Sequence, residues 1–197
     1  MLEATGIRLN QSRIGSVMSA IMVMGISGSY GADSSNSRLL RLGLEACERV
    51  GAETCVWPLE EKPLPLVGAP GSWEDENVDA FQGMVKQADA YLLSSPEYHG
   101  SFSGVMKNQL DWIYGDFVRG KCSGLMATLG GVSNSNTLNH LRIVMRQLHI
   151  HCIPQQIAVA RIKEAFDDEG GLIDSELRQR LDGVAVALVE LVGRLRT

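Results

Sequence analysis

The chain has 197 residues, 45% of them hydrophobic, with 18 Lys and Arg against 23 Asp and Glu, a formal net charge of -5 and a pI near 5.4. That length gives one domain with a sizeable core and is too short for two comfortable ones, while mild acidity without a concentrated basic stretch excludes a nucleic-acid backbone as partner. The longest apolar stretch near the start, Ala20 to Ile26, is far shorter than the roughly 20 residues that cross a bilayer, and no secretory pattern precedes it, so the expectation is a cytoplasmic protein without a membrane partner.

Residues 1–17 show neither clear periodicity nor a start signal and read as a flexible extension; Met18 opens directly onto the first strand and is a candidate native start, leaving 18–197 as one domain. The chain then alternates. A strand at Ala20–Ile26 leads through a glycine and serine loop to a helix from about Asn36 to Val50, and a second strand covers Glu53–Trp57. A Pro- and Gly-rich surface loop from Pro58 to Ser72 precedes a helix over Trp73–Gln87. Tyr91, Leu92 and Leu93 close an apolar run that reads as the third strand, and Pro96, lacking a backbone donor, is expected to stop it. Gly100 and Gly104 bracket a turn, and Ser103 caps a helix over about Val105–Gly115. Lys121–Leu129 is the fourth strand, Thr137–Leu148 a helix, His151–Val159 the fifth strand, and Asp174 caps a last helix to about Leu195. The four cysteines form no C-x-x-C pair and read as buried thiols, not as a disulfide framework or zinc site.

Strands alternating with helices imply a doubly wound α/β domain, a three-layer sandwich around a five-stranded parallel sheet. With strand order 2-1-3-4-5 the loops after strands one, three and four surround one crevice. The first loop, Gly28 to Asn36, carries hydroxyls at Ser29, Ser34 and Ser35 and opens a helix, where free N–H groups and the helix dipole favour a phosphate. It lacks both the G-K-[ST] of nucleoside-triphosphate loops and the G-x-G-x-x-G of dinucleotide binders, and a serine-rich turn that only caps a helix is an equal reading of this loop by itself.

Two motifs carry a family resemblance: G-S-x(4)-S-x-N from Gly28, and S-P-E-Y-H-G-S-x-S-G-x-x-K-N-x-L-D-W from Ser95. Together they resemble the NADPH-dependent FMN reductases of the flavodoxin-like fold. The resemblance runs from about Ser19 to the last helix and implies an FMN-binding oxidoreductase, a homodimer or homotetramer, that takes hydride from NADPH or NADH and passes electrons to a small-molecule acceptor. It implies that Ser29, Ser34, Ser35 and Asn36 hold the FMN phosphate, that Pro96, Glu97, Tyr98, His99 and Gly100 lie along the flavin ring, and that Gly130, Gly131 and Ser133 form a third wall. Family members often have arginine where this chain has Gly31 and asparagine where it has His99.

Chemically, a flavin accepts hydride at N5, so the protein need supply only a cradle and backbone donors, and no catalytic side chain or metal is expected. Glu97 with His99 could form an acid–base pair but reads better as part of the cradle; His149 and His151 lack a third metal ligand nearby in sequence. Lys107 and Asp111, one helical turn apart, read as a surface ion pair. Two other functions fit the pattern: a flavodoxin-like electron carrier without NAD(P)H turnover, and a flavin-free protein whose serine loop holds another phosphorylated molecule.

Overall fold

A computed structural model describes residues 20–132 and 136–196. The expected extension over 1–17, Met18 and Ser133 lie outside the described residues. The elements are β1 (Ile21–Ser27), α1 (Ser35–Arg49), β2 (Ala52–Val56), α2 (Glu76–Gln87), β3 (Ala90–Tyr98), β4 (Ser101–Phe102), α3 (Gly104–Asp111), α4 (Gly115–Val118), β5 (Cys122–Thr128), α5 (Asn136–Gln147), β6 (His151–Val159) and α6 (Ser175–Leu195). Five strands form a parallel sheet of order β2-β1-β3-β5-β6, with the short β4 folded back antiparallel on β3. With β4 set aside this is the expected 2-1-3-4-5 order, since β5 and β6 are the fourth and fifth parallel strands.

The central strands are apolar on both faces because helices cover both. Alternate residues divide between two cores. Met24, Ile26, Tyr91, Leu93, Leu125 and Ala127 join Phe81, Met106, Trp112 and Leu141 on the side of α2, α3 and α5. Val23, Leu92 and Met126 join Leu39, Leu44, Leu181, Val184 and Leu188 on the side of α1 and α6. The layer of α1 lies close to the sheet: a Cβ on Gly25 would come within 2.7 Å of Leu44 and one on Gly43 within 2.8 Å of Leu92. Cys47 and Cys122 are buried in this second core, where desolvation pushes each thiol up to about 11.

Three expectations need correction. β3 does not stop at Pro96 but runs to Tyr98. Its pairing with β1 ends at Ser27–Ser94, so beyond Ser94 one side of β3 has no parallel neighbour and the missing proline N–H costs no bond there. The helix expected from Trp73 begins at Glu76, because the Asp75 side chain accepts the Asn77 amide at 2.8 Å and the residues before it, Ser72–Glu74, form a separate 3-10 turn. The helix expected over Val105–Gly115 is two pieces, α3 and α4, broken where Trp112 is buried and its indole donates to the Pro65 carbonyl at 2.8 Å. Elsewhere the boundaries agree within about two residues. Asp174 caps α6, accepting the amides of Glu176 and Leu177. Among the described residues no helix is long and apolar enough to cross a membrane.

Candidate functional site

The parallel sheet brings the loops after β1, β3 and β5 to its carboxyl end, beside the point where strand order reverses. The first of these loops is held by its own hydroxyls. Ser34 caps α1 by accepting the Ser37 amide at 3.1 Å; its hydroxyl also bonds that of Ser37 at 3.0 Å, and Ser37 donates to the Gly31 carbonyl at 2.9 Å. Ser27 Oγ lies 3.1 Å from Ser37 Oγ and accepts the Ser29 amide at 3.2 Å. The backbone N–H groups of Ser35 and Asn36, in the first turn of α1, have no acceptor among the described residues. They supply the open donors an anion requires.

Asn36 has a different role from its neighbours. Its side chain is buried, donating to the Ser94 carbonyl at 2.9 Å and to Ser27 Oγ at 3.2 Å, and accepting from Ser94 Oγ at 2.8 Å. It therefore ties α1 to β3, and what it offers a ligand is its backbone amide. Gly31 is open, with nothing within 4 Å of where a Cβ would stand, and the neighbouring Ala32 amide donates to Glu60 at 3.0 Å.

Pro96 to Gly100 form the second wall. Glu97 pairs with Phe102 and Tyr98 with Ser101, so His99 and Gly100 are the two-residue tip of a hairpin. Both have positive φ, 52° and 78°, as a type I′ turn demands. Tyr98 is 61% exposed at this tip, and Thr137 Oγ1 approaches Glu97 at 3.5 Å from α5. The two walls touch through backbone. A Cβ on Gly28 would lie 2.9 Å from Ser95 Cα and 3.0 Å from Pro96 Cδ, and the Gly28 amide donates to the Ser94 carbonyl at 2.7 Å. Gly130 and Gly131 follow β5 as an exposed third wall, fixed where the Gly131 carbonyl accepts the Arg161 amide at 3.0 Å.

The crevice also depends on residues that sequence reasoning passed over or gave a smaller role: Ser27, Ser94, Ser95, Ser103 and Gln109. Ser103 donates to the Gly28 carbonyl at 2.6 Å as well as capping α3, and Gln109 donates to the Ser27 carbonyl at 2.6 Å. A signal was available: Ser27, Ser94 and Ser95 are hydroxyls at the carboxyl ends of otherwise apolar strands, where a buried polar group needs a partner. A cleft of about 860 Å³ starts at Ser27, Ser29 and Tyr30 and runs along α1 to Trp57 and Glu60. It shares the first loop with the crevice, but none of Pro96–Gly100 lines it.

Residues 21–164 match the family model described as NADPH-dependent FMN reductase. A relative from Oryza sativa subsp. japonica, named probable NADPH:quinone oxidoreductase 2, is 31% identical over 189 residues, covering 90% of this chain and 91% of that protein. Another, named FMN-dependent NADPH-azoreductase, from Staphylococcus aureus (strain USA300), is 33% identical over 162 residues, covering 79% of this chain and 86% of that one. Among solved structures, the flavoenzyme NAD(P)H:(acceptor) oxidoreductase FerB from Paracoccus denitrificans superposes with a TM-score of 0.70 at 26% identity, covering 89% of this chain and 97% of the other. The chain belongs to the NADPH-dependent FMN reductase family.

Proposed function

We propose that this protein is an FMN-dependent oxidoreductase that takes hydride from NADPH or NADH and passes electrons to a small-molecule acceptor such as a quinone, an azo compound, free flavin or a metal ion. The observation that carries the reading is the abutment of two unlike seats: a hydroxyl-rich loop with open amides at Ser35 and Asn36, and a backbone hairpin from Pro96 to Gly100 beside it. The names of the quinone and azo reductases among its relatives support the same reading.

The residues suit FMN. A phosphate needs open donors, and the N-terminus of the 15-residue helix α1 supplies amides and dipole with the hydroxyls of Ser29, Ser34 and Ser35 around them, the nearby Glu60 carboxylate being engaged by the Ala32 amide. A planar ring needs a wall that the backbone can approach, and Pro96, Glu97, Tyr98, His99 and Gly100 present a narrow hairpin edge, while Gly130 and Gly131 follow β5 at the same end of the sheet. When bound, the flavin supplies the hydride-accepting atom and carries the electrons. The chain's own part is to hold phosphate and ring at a fixed spacing and to leave one ring face open to the nicotinamide and then to the acceptor. Asn36, Ser94 and Gly28 would set that spacing through the bonds that tie the first loop to β3.

We assign the protein to the cytoplasm and to a homo-oligomer, a dimer or tetramer. Support for assembly comes from exposed Leu66, Val67, Trp73 and Tyr114, with Trp73 edge-on to the buried Trp112 at 5.1 Å and so beside the end of α3. On that helix Lys107 and Asp111 pair at 2.7 Å, and such a face, carrying both signs, can be its own complement across a two-fold axis. Steady-state assay of the FMN-loaded protein tests the activity: NADPH is consumed when a quinone or azo dye is present. Absence of turnover with every acceptor, despite stoichiometric FMN, would move the protein to the electron carriers.

A further inference from the structure

One buried oxygen joins the two walls of the crevice. Ser103 Oγ accepts the Met106 amide at 3.0 Å, as the cap of α3, and donates its proton to the Gly28 carbonyl at 2.6 Å, in the first loop. The Ser103 amide donates to Ser95 Oγ at 3.0 Å, and that hydroxyl donates to the Pro96 carbonyl at 2.9 Å, at the root of the hairpin. Ser103 is 1% exposed and Ser95 0%, so water does not substitute readily for either partner.

We propose that Ser103 is a positioning residue of the cofactor site, a latch that sets the distance between the first loop and the Pro96–Gly100 hairpin; the inference rests on the reading of this crevice as an FMN site. The contacts on each side of the latch act in opposite directions. Gly28 already lies against Ser95 and Pro96 with no room for a Cβ, which sets how near the walls can come. Ser103 and the Gly28 amide's bond to Ser94, at 2.7 Å, hold them from parting. A ligand with its phosphate on one wall and its ring on the other binds with less ordering cost when that spacing exists beforehand. Because the latch oxygen is also the helix cap, α3 keeps its start and the crevice its width through one atom.

Substitution separates the two roles. Glycine at an N-cap retains most of the capping, whereas alanine does not; neither can donate to the Gly28 carbonyl, and threonine keeps the hydroxyl. The test compares Ser103→Gly, Ser103→Ala and Ser103→Thr in the full chain, with FMN titration, urea unfolding of the FMN-free protein, and amide hydrogen exchange. In Ser103→Gly and Ser103→Ala alike, the FMN Kd rises by about tenfold, as expected for a buried carbonyl left without its donor. Stability falls in both and further in Ser103→Ala, which also loses the cap, and Ser103→Thr binds FMN like the wild type. In the FMN-free Ser103→Gly protein, exchange quickens at residues 28–32 and is unchanged within α3. Wild-type affinity in Ser103→Gly, with affinity and stability lost together in Ser103→Ala, would make Ser103 a helix cap only and overturn the latch. A wild type that fails to bind FMN would overturn the reading of the crevice instead, and the exchange comparison would still decide the latch, since unchanged exchange at 28–32 in Ser103→Gly contradicts it.

Discussion

His99 and Gly100 show how a single turn fixes the ring wall. With φ of 52° and 78° both residues occupy the left-handed region, where a residue with a Cβ is normally strained by roughly 1–2 kcal/mol. The family resemblance places Gly100 along the flavin ring, where a residue without a side chain lets the backbone come close. Among the described residues the one atom within 4 Å of a Cβ at that position is Asn136 Nδ2, at 3.9 Å, so the demand on Gly100 is conformational first. Gly100→Val is expected to lower stability by about 1–2 kcal/mol in urea unfolding, and to weaken FMN binding because the hairpin re-forms with another tip. His99→Asn should equal or exceed the wild type in the same measurement, since asparagine before glycine suits a type I′ turn. A valine variant as stable as the wild type would contradict the turn. The structural role of the Asn36 side chain was not legible. Two of its bonds go to the carbonyl and hydroxyl of Ser94, 58 positions away on β3, and only the folded sheet brings them together.

Among the elements, α6 is anchored at its far end by charge. Arg196, just beyond it, pairs with Asp89 at the start of β3 and reaches the Ala20 carbonyl at 3.4 Å, and Asp89 also accepts the Met22 amide at 2.8 Å. Burial raises the Asp89 pKa. The Arg196 and Met22 hydrogen bonds and the charges of Arg196 and Lys121 together outweigh burial, holding the carboxyl below its ordinary value. The unfolded chain therefore takes up a proton here before the folded one does. The stabilisation is present above about pH 4 and disappears as pH falls through the lower folded-state value. Asp89→Asn is expected to be less stable than wild type at pH 7, with the two unfolding curves converging in acid; a constant gap down to pH 2 would rule out this linkage. The starts of α3 and α6 were legible because caps are local: Ser103 and Asp174 lie beside the amides they receive, whereas the Asp75 cap of α2 was passed over. The end of β3 was not legible, because whether Pro96 breaks a ladder depends on where β1 stops pairing.

At the scale of the whole molecule, alternation and right-handed crossovers left few strand orders, and the one chosen among them, which the structure has, placed three distant loops in one crevice. Less legible was what lies outside that crevice. Val56, Leu66, Val67, Trp73 and Tyr114 are large exposed apolar residues, and no local pattern distinguishes a surface kept for a partner from a loop. If the face around Trp73 joins subunits, Trp73→Glu should shift the protein toward monomer in sedimentation velocity while leaving its circular dichroism unchanged. A wild type that sediments as a monomer at all assay concentrations would contradict the assembly.

The central claim is that one chain both binds FMN and accepts hydride onto it from a nicotinamide. Anaerobic mixing of the FMN-loaded protein with NADPH, followed by visible absorbance, tests it most directly. The account predicts that the yellow flavin spectrum bleaches without any partner protein and returns when a quinone or air is admitted. A flavin that stays oxidised in excess NADPH and NADH would contradict it.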